Sequence, residues 1–332
     1  MIRSIGYPLR LGLLVLGLGI ALLASIALGA AGLSLNEIAG AIAGRGDPTN
    51  RAIIFQLRLP RAILAALVGG GLALSGAIFQ ALLRNPLAEP YILGVSSGAA
   101  VGAVGAVALG WSLTTPWAVP LAAFSGAIAA VGLVLQIARS VDRRLDTRTL
   151  LLAGVVVGAF LNALILLLLT FAEVETFRAA IFWMMGNLGG ADWMGVLVLT
   201  IYLVPAVVVL LGLARALNLI AVGEETAEFL GTHVEVVKWI AFTIASLLVA
   251  ASVAVSGVIG FIGLIIPHAL RLLWGSDHRL LLPASVLAGA SFLLVADLIA
   301  RTIAAPAELP VGVITALIGV PVFIGLLTRR RV

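Results

Sequence analysis

Arginines at the ends of apolar runs are the residues of this sequence best suited to chemistry, and that chemistry is recognition of carboxylates. Arg58 and Arg61 flank Leu59-Pro60 just ahead of one long apolar run, and Arg301 closes another. Each carries a planar, permanently charged fork that grips a carboxylate through two hydrogen bonds. Acids gather in GEETAEFLG (Gly223–Gly231). On a short helix there, Glu224, Glu225 and Glu228 point one way, and Ala227 with Leu230 forms a small apolar patch. That segment reads as a solvated connector or as a helix that plugs into a partner's groove. Asn85-Pro86-Leu87 and Asp146-Thr147-Arg148 are polar corners with ordinary turn chemistry.

Covalent chemistry finds little support. Cysteine is absent and the three histidines are dispersed, so thiol catalysis is excluded and a metal site is not expected. No nucleophile–base pair or phosphate loop occurs. His268, after Pro267, reads as a histidine satisfied inside a bundle. Asp297 can pair with Arg301 at i, i+4. No span carries a carboxylate near its middle, where an ion-coupled carrier needs one.

The elements that must position these groups are membrane helices. The chain has 332 residues, 62% of them hydrophobic and 11% charged, against about 25% charged in soluble domains. No polar block is long enough to fold as a separate ATP-binding domain. Charge-free runs place spans at about 11–31, 62–83, two within 91–138, 149–171, 193–213, two within 239–270 broken near Ser256-Gly257, 280–296 and 309–328. The first run is longer than a signal peptide's apolar region and reads as a span. Trp111, Pro116 and Trp117 mark a turn, and Ile181–Gly190 reads as a re-entrant or surface helix. Gly69-Gly70-Gly71 inside a long apolar helix points to tight helix packing, because each glycine otherwise costs roughly 1 kcal/mol against alanine.

Loop charges orient the spans. With the N-terminus inside, the inner segments hold Arg3, Arg10, Arg84, Arg139, Arg143, Arg144, Arg148, Arg215, Lys238, Arg271, Arg279 and Arg329–Arg331. The outer ones hold Arg45, Arg51, Arg58, Arg61, Arg178 and Arg301, so the net charge of +5 follows the positive-inside rule rather than marking a nucleic-acid binder. Both termini are then cytoplasmic. Three arginines at helix ends on the side poor in arginine suit docking of an acidic protein. A displacement of 181 places lays Ala73, Ser75, Gly76, Ile78, Leu83, Pro86, Ala88 and Gly94 on Ala254, Ser256, Gly257, Ile259, Leu264, Pro267, Ala269 and Gly275. The expected fold is all-α and polytopic, with about ten transmembrane helices in two inverted five-helix halves, about 1–172 and 191–332. Shared small-residue packing is the other explanation of that match.

From about Leu57 onward the sequence resembles the membrane-spanning permease subunit of type II ABC importers, the iron-siderophore, haem and cobalamin uptake family. The matching segments are RLPR (58–61), LSGAIFQALLRNPLAEPYILGVSSGA (74–99), LLLAG (150–154), GEETAEFLG (223–231), GVIGFIGLIIPHALRLL (257–273), DHRLLLP (277–283), ADLIAR (296–301) and ELPVGVITALIGVPVFIGLL (308–327). The resemblance implies one permease domain over 1–332 and a homodimer in the bacterial or archaeal cytoplasmic membrane. Two cytoplasmic ATPase subunits would carry ATP and magnesium, and a substrate-binding protein would dock outside. No cofactor or metal is expected on this chain itself, nor any enzymatic activity.

Carried over residue by residue, Arg58, Arg61 and Arg301 would receive the binding protein's acids. Glu224, Glu225, Ala227, Glu228, Leu230 and Gly231 would couple to the ATPase. Asn85 with Leu87, and Thr147 with Arg148, would form the cytoplasmic gate; Arg148 departs from the small polar residue of some relatives. Asn162 would be the polar exception on an aliphatic pathway lined by the fifth and tenth spans. Two other readings stay open: a stand-alone ion-coupled secondary transporter, and a membrane-embedded enzyme on lipid-linked substrates, against which the lack of paired acids or histidines argues.

Overall fold

A computed structural model of the chain describes residues 6–29, 32–45, 47–113, 115–141 and 146–328. Arg3, Arg143, Arg144 and Arg329–Arg331, counted above on the inner side, lie outside the described residues. The helices are α1 (Tyr7–Ala27), α2 (Leu35–Ile42), α3 (Pro48–Leu82), α4 (Val95–Ala108), α5 (Ala118–Val141), α6 (Thr147–Thr170) and α7 (Val174–Met184). They continue with α8 (Trp193–Gly212), α9 (Ala214–Val222), α10 (Glu224–Phe229), α11 (Val234–Ser256), α12 (Ile262–Trp274), α13 (His278–Thr302) and α14 (Val311–Thr328). Seven of these are long and apolar enough to cross a membrane, and α4, α12 and α14 are shorter apolar helices. Together they match the expected ten or so spans of an all-α polytopic protein.

The triple glycine lies at the centre of the packing. Every residue of α3 from Val68 to Leu82 is buried. Gly69 meets Gly289 of α13 backbone to backbone, Gly70 faces Val286, and Gly71 faces Leu248 and Ser252 of α11. Without side chains the helix axes come close enough for dense van der Waals contact, the main source of helix association in a bilayer. Gly98 of α4 and Gly126 of α5 make the same kind of contact.

Two helices begin in mid-bundle. α4 has 14 residues and α12 has 13, only about 20 Å each at 1.5 Å per residue. α4 is preceded by a single 3₁₀ turn, Pro90–Leu93, and α12 by non-helical backbone over 257–261, breaks that are tolerated inside a membrane protein only where other groups satisfy them. Here the two breaks satisfy each other. The Tyr91 hydroxyl donates to the Ile259 carbonyl (2.9 Å) and accepts from the Ile259 N–H (3.2 Å). Glu89 Oε1 accepts from the Phe261 N–H (2.9 Å) at the start of α12. Glu89, four residues past Asn85, is thus a carboxylate that serves the start of a helix buried within the bundle.

Several expectations are corrected. The helix after α6 is Val174–Met184, and 185–190 is not helical. Its backbone serves other helix ends: the Asn187 N–H donates to the last carbonyl of α11, Ser256, and the Gly186 and Met185 carbonyls accept from Val311 and Gly312 at the start of α14. Residues 214–237, between two of the expected spans, are α9, α10 and the first turn of α11. Asn218 of α9 donates to Asp277 (2.8 Å), which also accepts from the Tyr7 hydroxyl (3.0 Å), tying α9 to the starts of α13 and α1. α13 runs on to Thr302, past Asp297 and Arg301, because those charges are paired inside the protein. The offset of 181 equates Gly76, still inside α3, with Gly257, which caps the end of α11. At that register the two windows do not match element for element.

Candidate functional site

At one end of the bundle the three arginines converge, but they do not form an outward ring. The last four carbonyls of a helix lack intrahelical donors, and those of α1 are all accounted for. Ala24 accepts from Leu28 N–H, Ser25 from Arg301 Nη2, and Ile26 and Ala27 from Arg58 Nη1 at 2.8 and 3.0 Å. Arg58 and Arg301 are accordingly only 6% and 7% exposed. The positive guanidinium groups also oppose the negative end of the helix dipole. Arg61 lies between two acids, with Asp297 at 2.9 Å on Nη2 and Glu308 at 2.9 Å on Nη1. Asp297 is fully buried and lies 3.6 Å from Arg301 Nε, the i, i+4 pair the sequence suggested. A crevice of about 390 Å³ opens over Arg58, Arg61, Arg301 and Glu308. Just ahead of it α3 widens into a π-helical stretch, Ile53–Arg58, which turns Arg58 toward α1.

At the other end, α3 closes with the Arg84 N–H donating to the Ala81 carbonyl (3.3 Å) and the Asn85 N–H to that of Gln80 (3.2 Å). This Schellman pattern places Arg84 at φ +45°. A left-handed conformation costs a non-glycine residue about 1–2 kcal/mol. Asn85 Oδ1 then accepts from the Leu87 N–H (2.9 Å) to shape the corner, with Leu87 exposed. Thr147 opens α6 behind Asp146, whose carboxylate is held below its usual range chiefly by the Thr149 backbone N–H. Thr147 shares a narrow crevice with Leu82, Leu83 and Lys238, which places the start of α6 beside the end of α3. Arg148 is exposed and is not among that crevice's lining residues.

Gln80 is a site residue that the sequence reading passed over. Pro267 has no N–H to offer the Gly263 carbonyl four residues back. The Gln80 amide supplies it, donating to Gly263 (3.3 Å), Leu264 (3.0 Å) and Ala88 (3.4 Å), while its oxygen accepts from Arg271 (2.8 Å). A proline at residue 267 opposite a buried glutamine was the available signal. Gln80→Leu is expected to lower stability by about 1–3 kcal/mol, since buried carbonyls lose their donor. Thermal unfolding of the detergent-solubilised protein checks this.

In α10 the acids do not share one face. Glu224 turns inward to Arg84 and Lys238, and Ala227 is completely buried, while Glu225, Glu228 and Leu230 are exposed. The expected Ala227–Leu230 patch is replaced by Phe229, 92% exposed, with Leu230. Gly231, at φ +80°, ends the helix. Asn162 is exposed on α6 among Val155, Val156, Phe160 and Leu166.

The profile described as the FecCD transport family matches residues 17–329, nearly the whole chain. This chain belongs to the FecCD transport family. Among relatives, it is 48% identical to the vitamin B12 import system permease protein BtuC of Klebsiella pneumoniae over 84% of this chain and 83% of that one. It is 43% identical to the uncharacterized ABC transporter permease protein YvrB of Bacillus subtilis over 88% and 83% of the two chains. A solved metal-chelate type ABC transporter in an inward-facing conformation superposes with a TM-score of 0.87 at 35% identity, covering 97% of this chain and 99% of that one. The FecCD membership and this fold bear out the family resemblance and the polytopic, all-helical architecture read from the sequence.

Proposed function

We propose that this FecCD protein is the membrane-spanning permease of an ATP-driven importer, carrying a bulky metal chelate from an extracytoplasmic binding protein to the cytoplasm. The observation that carries the reading is the family match over residues 17–329. The names of the relatives favour cobalamin as the first chelate to test, with ferric siderophore and haem beside it. The working unit is a homodimer in the inner membrane with both termini cytoplasmic. Two ATPase subunits, holding ATP and magnesium, dock on Phe229 and Leu230 of α10. The unpartnered apolar faces of α6 (Val155, Phe160) and α14 (Leu317, Val320) suit a second copy and an aliphatic pathway between the two. Asn85, Leu87 and Thr147 form the inner gate.

Uptake into proteoliposomes, with and without the ATPase and ATP, tests this reading. Transport requiring ATP and one particular binding protein is expected. Transport that follows an ion gradient without the ATPase would mean a secondary transporter instead.

Docking of the binding protein is assigned to Arg61 and the crevice over it. An incoming carboxylate competes there with Glu308, which is 48% exposed. Glu308→Gln should therefore tighten docking and Arg61→Gln weaken it, each by about 0.5–1.5 kcal/mol, or a few-fold in affinity. Binding measured by surface plasmon resonance on the reconstituted permease reads both, and equal affinities for the two variants would remove Arg61 from the docking surface.

A further inference from the structure

Arginine stands at residue 84 where backbone geometry asks for glycine. α10 ends in the same hydrogen-bond pattern as α3: the Gly231 N–H donates to the Glu228 carbonyl and the Thr232 N–H to that of Ala227, both at 2.9 Å. There the left-handed position is filled by glycine, the residue that adopts it without steric cost. At the end of α3 the chain accepts a strained residue instead, and backbone preference cannot be the reason. The side chain supplies one. Arg84 Nη2 lies 3.0 Å from Oε1 of Glu224, the first residue of α10. The other oxygen of Glu224 lies 3.2 Å from Nζ of Lys238, which is 4% exposed near the start of α11 and also meets Glu235 at 3.4 Å. Lys238 in turn lines the crevice that holds Leu83, just before the corner Asn85–Leu87, and Thr147 of the other corner.

Both oxygens of Glu224 are thus engaged within the chain, and the exposed surface of α10 belongs to Glu225, Thr226, Glu228 and Phe229, with Leu230 just past its end. We infer that Arg84, Glu224 and Lys238 form an ionic relay that ties α10 to the inner corner Asn85–Leu87, so that a displacement of α10 moves the gate. Arg84 and Glu224 are positioning residues in this relay, acting through the corner. The inference rests on the reading of α10 as the ATPase-docking segment. Ion pairs as exposed as Arg84–Glu224 add little to stability. Removing this one therefore leaves the fold intact and cuts the mechanical connection.

The absence of cysteine makes the test clean. Leu87→Cys, in the permease assembled with its ATPase, is labelled with a maleimide with and without ATP and magnesium. The nucleotide-dependent change in labelling rate is expected to shrink roughly tenfold in Arg84→Gly, a typical size for coupling between sites. Glu224→Gln should do the same, and the double variant should be no worse than either single one, because both cut the same link. Arg84→Gly should also keep or raise the melting temperature, since glycine removes the left-handed strain; a purely structural arginine would lower it.

An undiminished nucleotide response in Arg84→Gly, multiplying effects in the double variant, or no nucleotide response at Leu87→Cys in the parent complex would each overturn the relay. Phe229→Ala separates the two readings. If it leaves the ATPase bound, the docking assignment of α10 fails and the relay fails with it. If it releases the ATPase while Arg84→Gly keeps its nucleotide response, the relay alone is wrong.

Discussion

Asp297→Ala is expected to destabilise the protein by about 3–5 kcal/mol, the cost of removing one partner from a buried ion pair. Asp297 is fully buried, accepts from Arg61 through Nε and Nη2, and lies beside Arg301. Its loss leaves two guanidinium groups close together in a low-dielectric site. Arg61 retains Glu308 and Arg301 retains the end of α1, which holds the loss toward the lower figure. Asp297→Asn keeps the shape and hydrogen-bonding oxygen but not the charge, and should lie between the two proteins. Thermal unfolding in detergent reads the series, and a wild-type melting temperature for the alanine variant would show that the cluster contributes nothing to the fold. Charge reversal at Arg58 or Arg301 needs the same measurement beside any docking assay, since both arginines cap α1.

Gly69→Val should cost about 3 kcal/mol or more, at or beyond the usual range for overpacking. A Cβ at residue 69 would stand 2.7 Å from the Leu293 Cβ and closer still to the Gly289 carbonyl. Those atoms are backbone and Cβ, so no rotamer change relieves the clash, and α3 and α13 must separate. A branched side chain adds to the conflict. Gly17→Ala is the control: it lies in α1 with nothing within 4 Å of the added carbon, and should be neutral or slightly stabilising through helix propensity. Yield of folded protein and melting temperature together separate the two outcomes. Equal behaviour would mean that glycine-mediated approach is not what holds α3 in place.

Both predictions show where the sequence was readable. The triple glycine announced close packing because glycine in an apolar helix has no other benefit, and the contacts with Gly289, Val286 and Leu248 supply the reason. Span boundaries were less legible, and charge misled in a consistent direction. Reading Lys238, Asp297 and Arg301 as span ends shortened α11 and α13. In the fold those charges are neutralised by Glu224, Arg61 and the end of α1, so the helices run through them. Tyr91 began an apolar run in the sequence, yet α4 starts only at Val95, because Tyr91 is occupied with Ile259 across the break.

The candidate site divides in the same way. The corner Asn85–Leu87, the acidic segment and the three arginines were all visible as residues, and the family resemblance attached expectations to them. Their directions were not visible. Glu224 turns inward, Phe229 replaces Ala227 on the exposed side, and Arg58 serves a carbonyl pair more than thirty residues before it.

By itself the sequence determined that this is a multi-span helical membrane protein of the FecCD transport family. Apolar length, glycine placement and motif order are local properties, and a bilayer demands them wherever the chain crosses it. Only the tertiary structure decided which charges are partners, which carbonyls receive Gln80, and that Arg84 reaches α10. Those pairings join residues up to 276 positions apart, as in Arg301 with Ser25. Which partner a buried polar group finds depends on helix packing, a property that no single stretch of sequence contains.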